Sequence, residues 1–136
     1  MVALVIWNVS AEASADDTVI RLVCPYSYTI DAKGVQSGTT GESLLSVKYS
    51  RDGQATIKKQ DLGAEFRGTI TDEQIVGETN YKIQETTFHK ELRINRYTGA
   101  FEITFGVLGK ETGSVHYGKC IPATEKLFYV LEATHK

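Results

Sequence analysis

The stretch from Phe88 to Phe105, FHKELRINRYTGAFEITF, constrains the fold more than any other part of the chain. Phe88, Lys90, Leu92 and Ile94 fall on one side of an extended segment and His89, Glu91, Arg93 and Asn95 on the other, a period of two with one apolar face. Phe101, Ile103 and Phe105 repeat the alternation against Glu102 and Thr104. Between the two runs, Arg96-Tyr97-Thr98-Gly99 supplies a short turn with glycine where the backbone must turn left-handed. The spacing predicts a β-hairpin.

The remaining chain reads the same way. Thr18 to Ile30 is one long or kinked strand interrupted at Cys24-Pro25, since proline cannot donate to a ladder, with Tyr26 and Tyr28 continuing on one face. Asp31 to Gly41 is the longest loop-like stretch and a candidate rim. Leu45, Val47 and Tyr49 alternate up to a turn at Arg51-Asp52-Gly53, and the chain returns through Ile57 to Lys59. After Asp61-Leu62-Gly63, Phe66 and Ile70 share a face. Thr71 to Gln74 turns, and Ile75, Gly77, Thr79, Tyr81 and Ile83 alternate, with Gly77 placed either to relieve crowding or to allow a bulge. Beyond a turn at Gly109 to Gly113, Ser114 to Cys120 places Val115 and Tyr117 on one face, and the tail from Ile121 either closes the sheet or forms a helical turn.

No segment carries a helical stripe over three turns, and strands recur near every tenth residue with turn chemistry between them. The fold class expected is all-β and antiparallel: an up-and-down barrel, or a barrel-like sandwich, of about eight strands. Closure is preferred because it removes exposed edges. With 136 residues the chain accommodates one domain. A hydrophobic content of 41% and a charged content of 24% suit a folded domain, and a net charge of −2 without blocks of either sign argues against nucleic acid as a partner.

Residues 1–15 combine an apolar run, Val2 to Trp7, with the small-residue pattern Ala11-Glu12-Ala13-Ser14-Ala15, so they read as the remnant of a signal peptide cleaved before Asp16. The alternative is an amino-terminal strand or short helix. The run is too short to span a bilayer. Residues 16–136 then form the mature barrel domain, periplasmic or secreted. In such a compartment Cys24 and Cys120 are expected to pair, against the alternative of two reduced buried thiols. The bridge would tie the first strand to the last.

Ile94-Asn95-Arg96-Tyr97-Thr98-Gly99, Tyr117-Gly118-Lys119-Cys120 and the ending Lys126-Leu127-Phe128 resemble a group of small exported proteobacterial β-proteins with no assigned function. Phe66 to Ile70 and Ile75 to Glu78 are similar to that group's preceding strands, so the resemblance covers roughly Phe66 to Phe128. In size, leader and cysteine pair the chain also resembles the periplasmic barrels that inhibit lysozyme. Their inhibitory loop pattern is not found here, and that likeness concerns architecture alone.

Chemistry is sparse along the chain. His89 and His116 fall on mainly polar strand faces and His135 in the tail, without the spacing that prearranges a metal site, so they read as solvent-facing. No Gly-x-Ser-x-Gly elbow precedes a serine, and the glycines mark turns rather than a phosphate cradle. Neither catalysis nor a cofactor or metal is expected. Tyr97 and Arg96 are the candidate binding residues: an aromatic ring presented on a tight hairpin beside a guanidinium suited to carboxylate or phosphate. The bland alternative for Arg96 is a bond to loop carbonyls or a structural salt bridge.

Two functions follow. One is an exported, non-catalytic module, an inhibitor among its forms, that binds an unknown protein through loop tips. The other is a lipocalin-like carrier of a small apolar ligand. Interior volume separates them. A barrel packed solid by Phe66, Leu92, Ile94, Phe101, Ile103 and Phe105 excludes the carrier, and an open cavity of several hundred cubic ångströms favours it.

Overall fold

Within residues 18–59, 64–110 and 112–123, which the computed structural model describes, each run of alternating apolar residues is a strand. The elements are β1 (Thr18–Ile30), β2 (Gln36–Gly38), β3 (Glu42–Tyr49), β4 (Gln54–Lys59), β5 (Ala64–Ile70), β6 (Gln74–Ile83), β7 (Thr86–Asn95), β8 (Ala100–Val107), β9 (Thr112–Lys119) and β10 (Ile121–Pro122). Every pairing is antiparallel. The order runs β1-β3-β4-β5-β6-β7-β8-β9 and closes through a β1–β9 ladder, so eight strands form a ring and β2 and β10 add to β1. The expected leader and the tail beyond Ala123 lie outside the described residues.

Side-chain alternation then sorts the wall into two faces. Leu22, Leu45, Val47, Ile57, Phe66, Ile75, Leu92, Ile94, Phe101 and Ile103 point inward and are buried in one cluster. The outward positions of β5 to β8 carry Glu65, Arg67, Glu78, Glu91, Arg93 and Glu102. Such a charged outer wall is the inverse of a lipid-facing barrel, whose apolar side is outside. Among the described residues no helix is long and apolar enough to cross a membrane.

A disulfide joins Cys24 of β1 to Cys120, 96 positions away, where the first and last strands meet. It fastens the seam. Outside that seam a small second cluster forms from Val23 and Leu44, with Ala123 packed against it. The Ala123 amide donates to the Arg21 carbonyl at 2.9 Å, which holds the end of the described chain against the barrel.

Three sequence expectations are corrected by the register. The Asp31 to Gly41 stretch contains β2, which pairs with the far half of β1. Pro25 does not interrupt β1; instead the β1–β9 register shifts between Tyr26 and Tyr28. The extra residue of this bulge reverses the alternation, so Tyr26 and Tyr28 occupy opposite faces. Tyr26 packs inside against Phe101 at 5.7 Å, while Tyr28 stacks on Tyr117 at 4.8 Å outside. The apolar face assigned to β9 is likewise inverted: Val115 and Tyr117 look out, and His116 and Gly118 look in opposite Ile103 and Phe101. Gly118 explains the choice. A side chain there would meet the Pro25 carbonyl and lie 2.5 Å from the Phe101 ring.

Candidate functional site

The ladder registers define two ends of the barrel. One gathers the turns at Ser50–Gly53, Thr71–Glu73 and Arg96–Gly99, and the other gathers the 31–35 loop, the Gln84–Glu85 turn and the turn after Val107. The middle of the interior is filled by Leu45, Val47, Ile57, Phe66 and Leu92, each wholly buried. Toward the second end the inward side chains change character, and a cavity of about 430 Å³ opens.

The bulge in β1 builds one wall of this cavity. It turns Tyr26 inward, where its hydroxyl hydrogen-bonds the buried Ser43 hydroxyl and its ring lies 5.6 Å from that of His116. Past the bulge Thr29 also faces in, opposite His116. Its hydroxyl is 2.9 Å from His116 Nδ1 and 2.6 Å from the Thr39 hydroxyl, so the loop leading into β3 is tied to β9 through one threonine.

The opposite wall is aromatic and basic. Tyr81, Phe88 and Phe105 stack in succession, with Tyr81 and Phe105 each 5.5–5.6 Å from Phe88. Lys90, the inward residue between Phe88 and Leu92, holds its ammonium 5.6 Å from both the Tyr81 and the Phe105 ring centres, a cation–π geometry. Lys59 closes β4 on the same inward phase as Ala55 and Ile57 and is only 7% exposed. It lines the cavity together with Phe66.

Burial, with the added fields of Lys59 and Lys90, pushes the His116 imidazole below its ordinary protonation range. It is therefore neutral at pH 7 and offers a ring nitrogen rather than a charge. Among the described residues that line the cavity, the ionisable groups are Lys59, Lys90, His116, Tyr26 and Tyr81, with no carboxylate.

Arg96 and Tyr97, the residues singled out in the sequence, stand at the other end. Asn95 Oδ1 accepts from the Tyr97 and Thr98 amides at 2.9 and 3.0 Å, and Gly99 takes a φ of 83°, which fixes the hairpin tip. The Arg96 guanidinium donates to the Thr71 carbonyl at 2.7 Å and its amide to the Glu73 carbonyl at 2.8 Å, joining neighbouring turns. Tyr97 is 75% exposed. Both border a second hollow of about 440 Å³ whose floor is Ile20, Leu22, Ile75 and Ile94. Among its described lining residues the ionisable ones are Arg96, Tyr97 and Lys119. Larger depressions of about 570 and 540 Å³ lie on the outer wall, along the outward residues of β5–β6 and around Arg93, Glu102 and Tyr117.

His116 corrects a sequence expectation, since it faces the interior rather than solvent. His89 does lie outside, its Nδ1 2.6 Å from Asn80 Oδ1. Among the described residues no three His, Cys, Asp or Glu side chains converge where a metal ion would sit. The signal for two inward lysines is present in the sequence: Lys90 falls on the apolar face of its strand with Phe88 and Leu92, and Lys59 shares the phase of Ile57. A scan against protein-family models and a search of curated proteins find no match to this chain.

Proposed function

We propose that this chain is a non-catalytic, lipocalin-like binding protein that holds one small ligand in the open end of its barrel. The cavity of about 430 Å³ carries the proposal. Its size falls in the range of small-molecule sites, and its walls combine aromatic surface with a few converging polar groups. An eight-stranded barrel is wide enough to hold one small ligand where its interior is not filled. The disulfide suits an oxidising compartment, and the reading therefore includes export to the periplasm or beyond. The likeness of the Ile94–Gly99 and Tyr117–Cys120 segments to small exported proteobacterial β-proteins points the same way.

Titration with a neutral fluorescent naphthylamine tests the cavity. Saturable binding of one probe per chain is expected, weakened in Thr39→Trp and Phe105→Trp, which place bulk at half-buried lining positions. Equal binding by wild type and both variants, or no binding at all, would count against a carrier.

A second reading has its own support. Tyr97 is exposed on a hairpin tip held rigid by Asn95 and Arg96, the presentation expected of a protein-binding anchor in a module or inhibitor. A partner protein copurified from the native host should be lost on Tyr97→Ala; retention would remove this site.

A further inference from the structure

We propose that the ligand of this cavity is a compact aromatic alcohol, its hydroxyl hydrogen-bonded to His116 Nε2 and its flat ring packed among the cavity's own rings. The inference rests on the carrier reading and adds the ligand's chemical class.

The polar anchor is half of an imidazole. Strand pairing sets Thr29 of β1 opposite His116 of β9. The Thr29 hydroxyl lies 2.9 Å from His116 Nδ1 and 2.6 Å from the Thr39 hydroxyl, so one ring nitrogen is engaged. Among the described residues no hydrogen bond reaches the other, Nε2. The ring is half-buried and lines the cavity, where burial and the fields of Lys59 and Lys90 keep it neutral at pH 7.

A neutral imidazole carries a single proton, and two arrangements complete the chain. In one, Thr39 donates to Thr29 and Thr29 donates to Nδ1, which makes Nε2 a donor. In the other, Nδ1 donates to Thr29 and Thr29 donates to Thr39, which makes Nε2 an acceptor. A ligand carbonyl answers only the first and an ammonium only the second. A hydroxyl answers both, because it donates and accepts.

The skeleton follows from the walls. Tyr26, Phe66, Tyr81 and Phe105 line the cavity with His116. The Tyr26 hydroxyl is committed to Ser43, so this residue offers a guest its ring. Tyr81 and Phe105, each stacked on Phe88, are half-buried and keep aromatic surface open to the cavity. Aromatic pairs gain from offset or edge-on contact beyond area burial, a gain that a flat ring collects and a puckered aliphatic of equal size does not. The volume of about 430 Å³ suits a molecule of two fused rings.

Naphthol, methylnaphthalene and decahydronaphthol, each substituted at the same ring position, separate these contributions when titrated into the oxidised protein at neutral pH. Naphthol is expected to bind roughly threefold to tenfold tighter than decahydronaphthol, which keeps the hydroxyl and loses the flat ring. The naphthol-to-methylnaphthalene affinity ratio should fall roughly threefold to tenfold in His116→Phe, as one lost hydrogen bond requires, while methylnaphthalene still binds. In wild type, nitrogen NMR should show the His116 Nε2 resonance move on saturation with naphthol and stay in place with methylnaphthalene. That reading decides the hydroxyl contact even where the variant fails to fold. An unmoved Nε2 resonance, or naphthol no tighter than decahydronaphthol, overturns the proposed class while binding itself leaves the carrier reading standing. Failure of all three to bind overturns the carrier reading and this inference with it.

Discussion

Gly68 of β5 and Gly77 of β6 stand directly opposite each other on the inner face of the barrel, and neither position has room for a side chain. A methyl group on Gly68 would strike the Val76 carbonyl and come within 2.7 Å of the Gly77 Cα, and one on Gly77 would lie 2.7 Å from Ile57 Cδ1 and 3.0 Å from Phe66 Cβ. The two strands approach the core as bare backbone, and Ile57 and Phe66 fill the space. Gly68→Ala must move main chain, whereas Gly77→Ala displaces the end of a side chain. The first should cost about 3 kcal/mol and the second about 1–2 kcal/mol in urea unfolding, with Ile57→Val recovering part of the Gly77→Ala loss. Wild-type stability in Gly68→Ala would contradict the packing described.

The Cys24–Cys120 bridge closes a loop of nearly the whole described domain. In the chain-entropy account a loop of this length is worth about 4–5 kcal/mol through restriction of the unfolded chain. Urea midpoints with and without reductant should differ accordingly, and the Cys24→Ala/Cys120→Ala variant should match the reduced protein. Identical midpoints would show that the seam is held by its ladder alone.

Protonation of His116 should weaken the fold. Burial, with the fields of Lys59 and Lys90, lowers its pKa from the usual 6.5. Unfolding restores the ordinary value, so the unfolded chain takes up the proton first as pH falls. Stability is accordingly full above about 6.5 and lost as pH drops through the folded-state value. His116→Gln should flatten the dependence of the melting temperature on pH in that window. An imidazole titrating above 6.5 by NMR would reverse the sign.

Arg96 and Tyr97 should separate in mutagenesis. Removal of the Arg96 guanidinium breaks its bond to the Thr71 carbonyl, and Arg96→Ala is expected to cost about 0.5–1.5 kcal/mol. Tyr97→Ala takes away an exposed ring and should change stability by no more than about 0.5 kcal/mol. A large loss from Tyr97→Ala would mean that its ring supports the fold instead of remaining available to a partner.

Much of the wall was legible before any coordinates. The inward faces of β3 through β8 follow from Leu45, Val47, Ile57, Phe66, Ile75, Leu92, Ile94, Phe101 and Ile103, because alternation in a strand is a local property and each strand returns through a short turn. Of the two roles the sequence leaves open for Gly77, relief of crowding is the one found, and Tyr97 is exposed as its place in a tight turn implies. At β1 and β9 local alternation does not decide the inward face. Val115 and Tyr117 are the apolar residues of β9, yet they face out, since the inward phase is dictated by the space that Gly118 must leave for Pro25 and Phe101.

What the sequence determined by itself is the repeating extended pattern, the turns and the identity of the two cysteines, all set by neighbours within a few residues. The tertiary structure alone decided that a one-residue bulge sends Tyr26 inward and Tyr28 outward, and that ring closure places Lys59, Lys90 and His116 around one cavity. Those three come from strands far apart in the chain, and their meeting depends on shear and closure of the whole barrel, a global constraint that no local periodicity encodes.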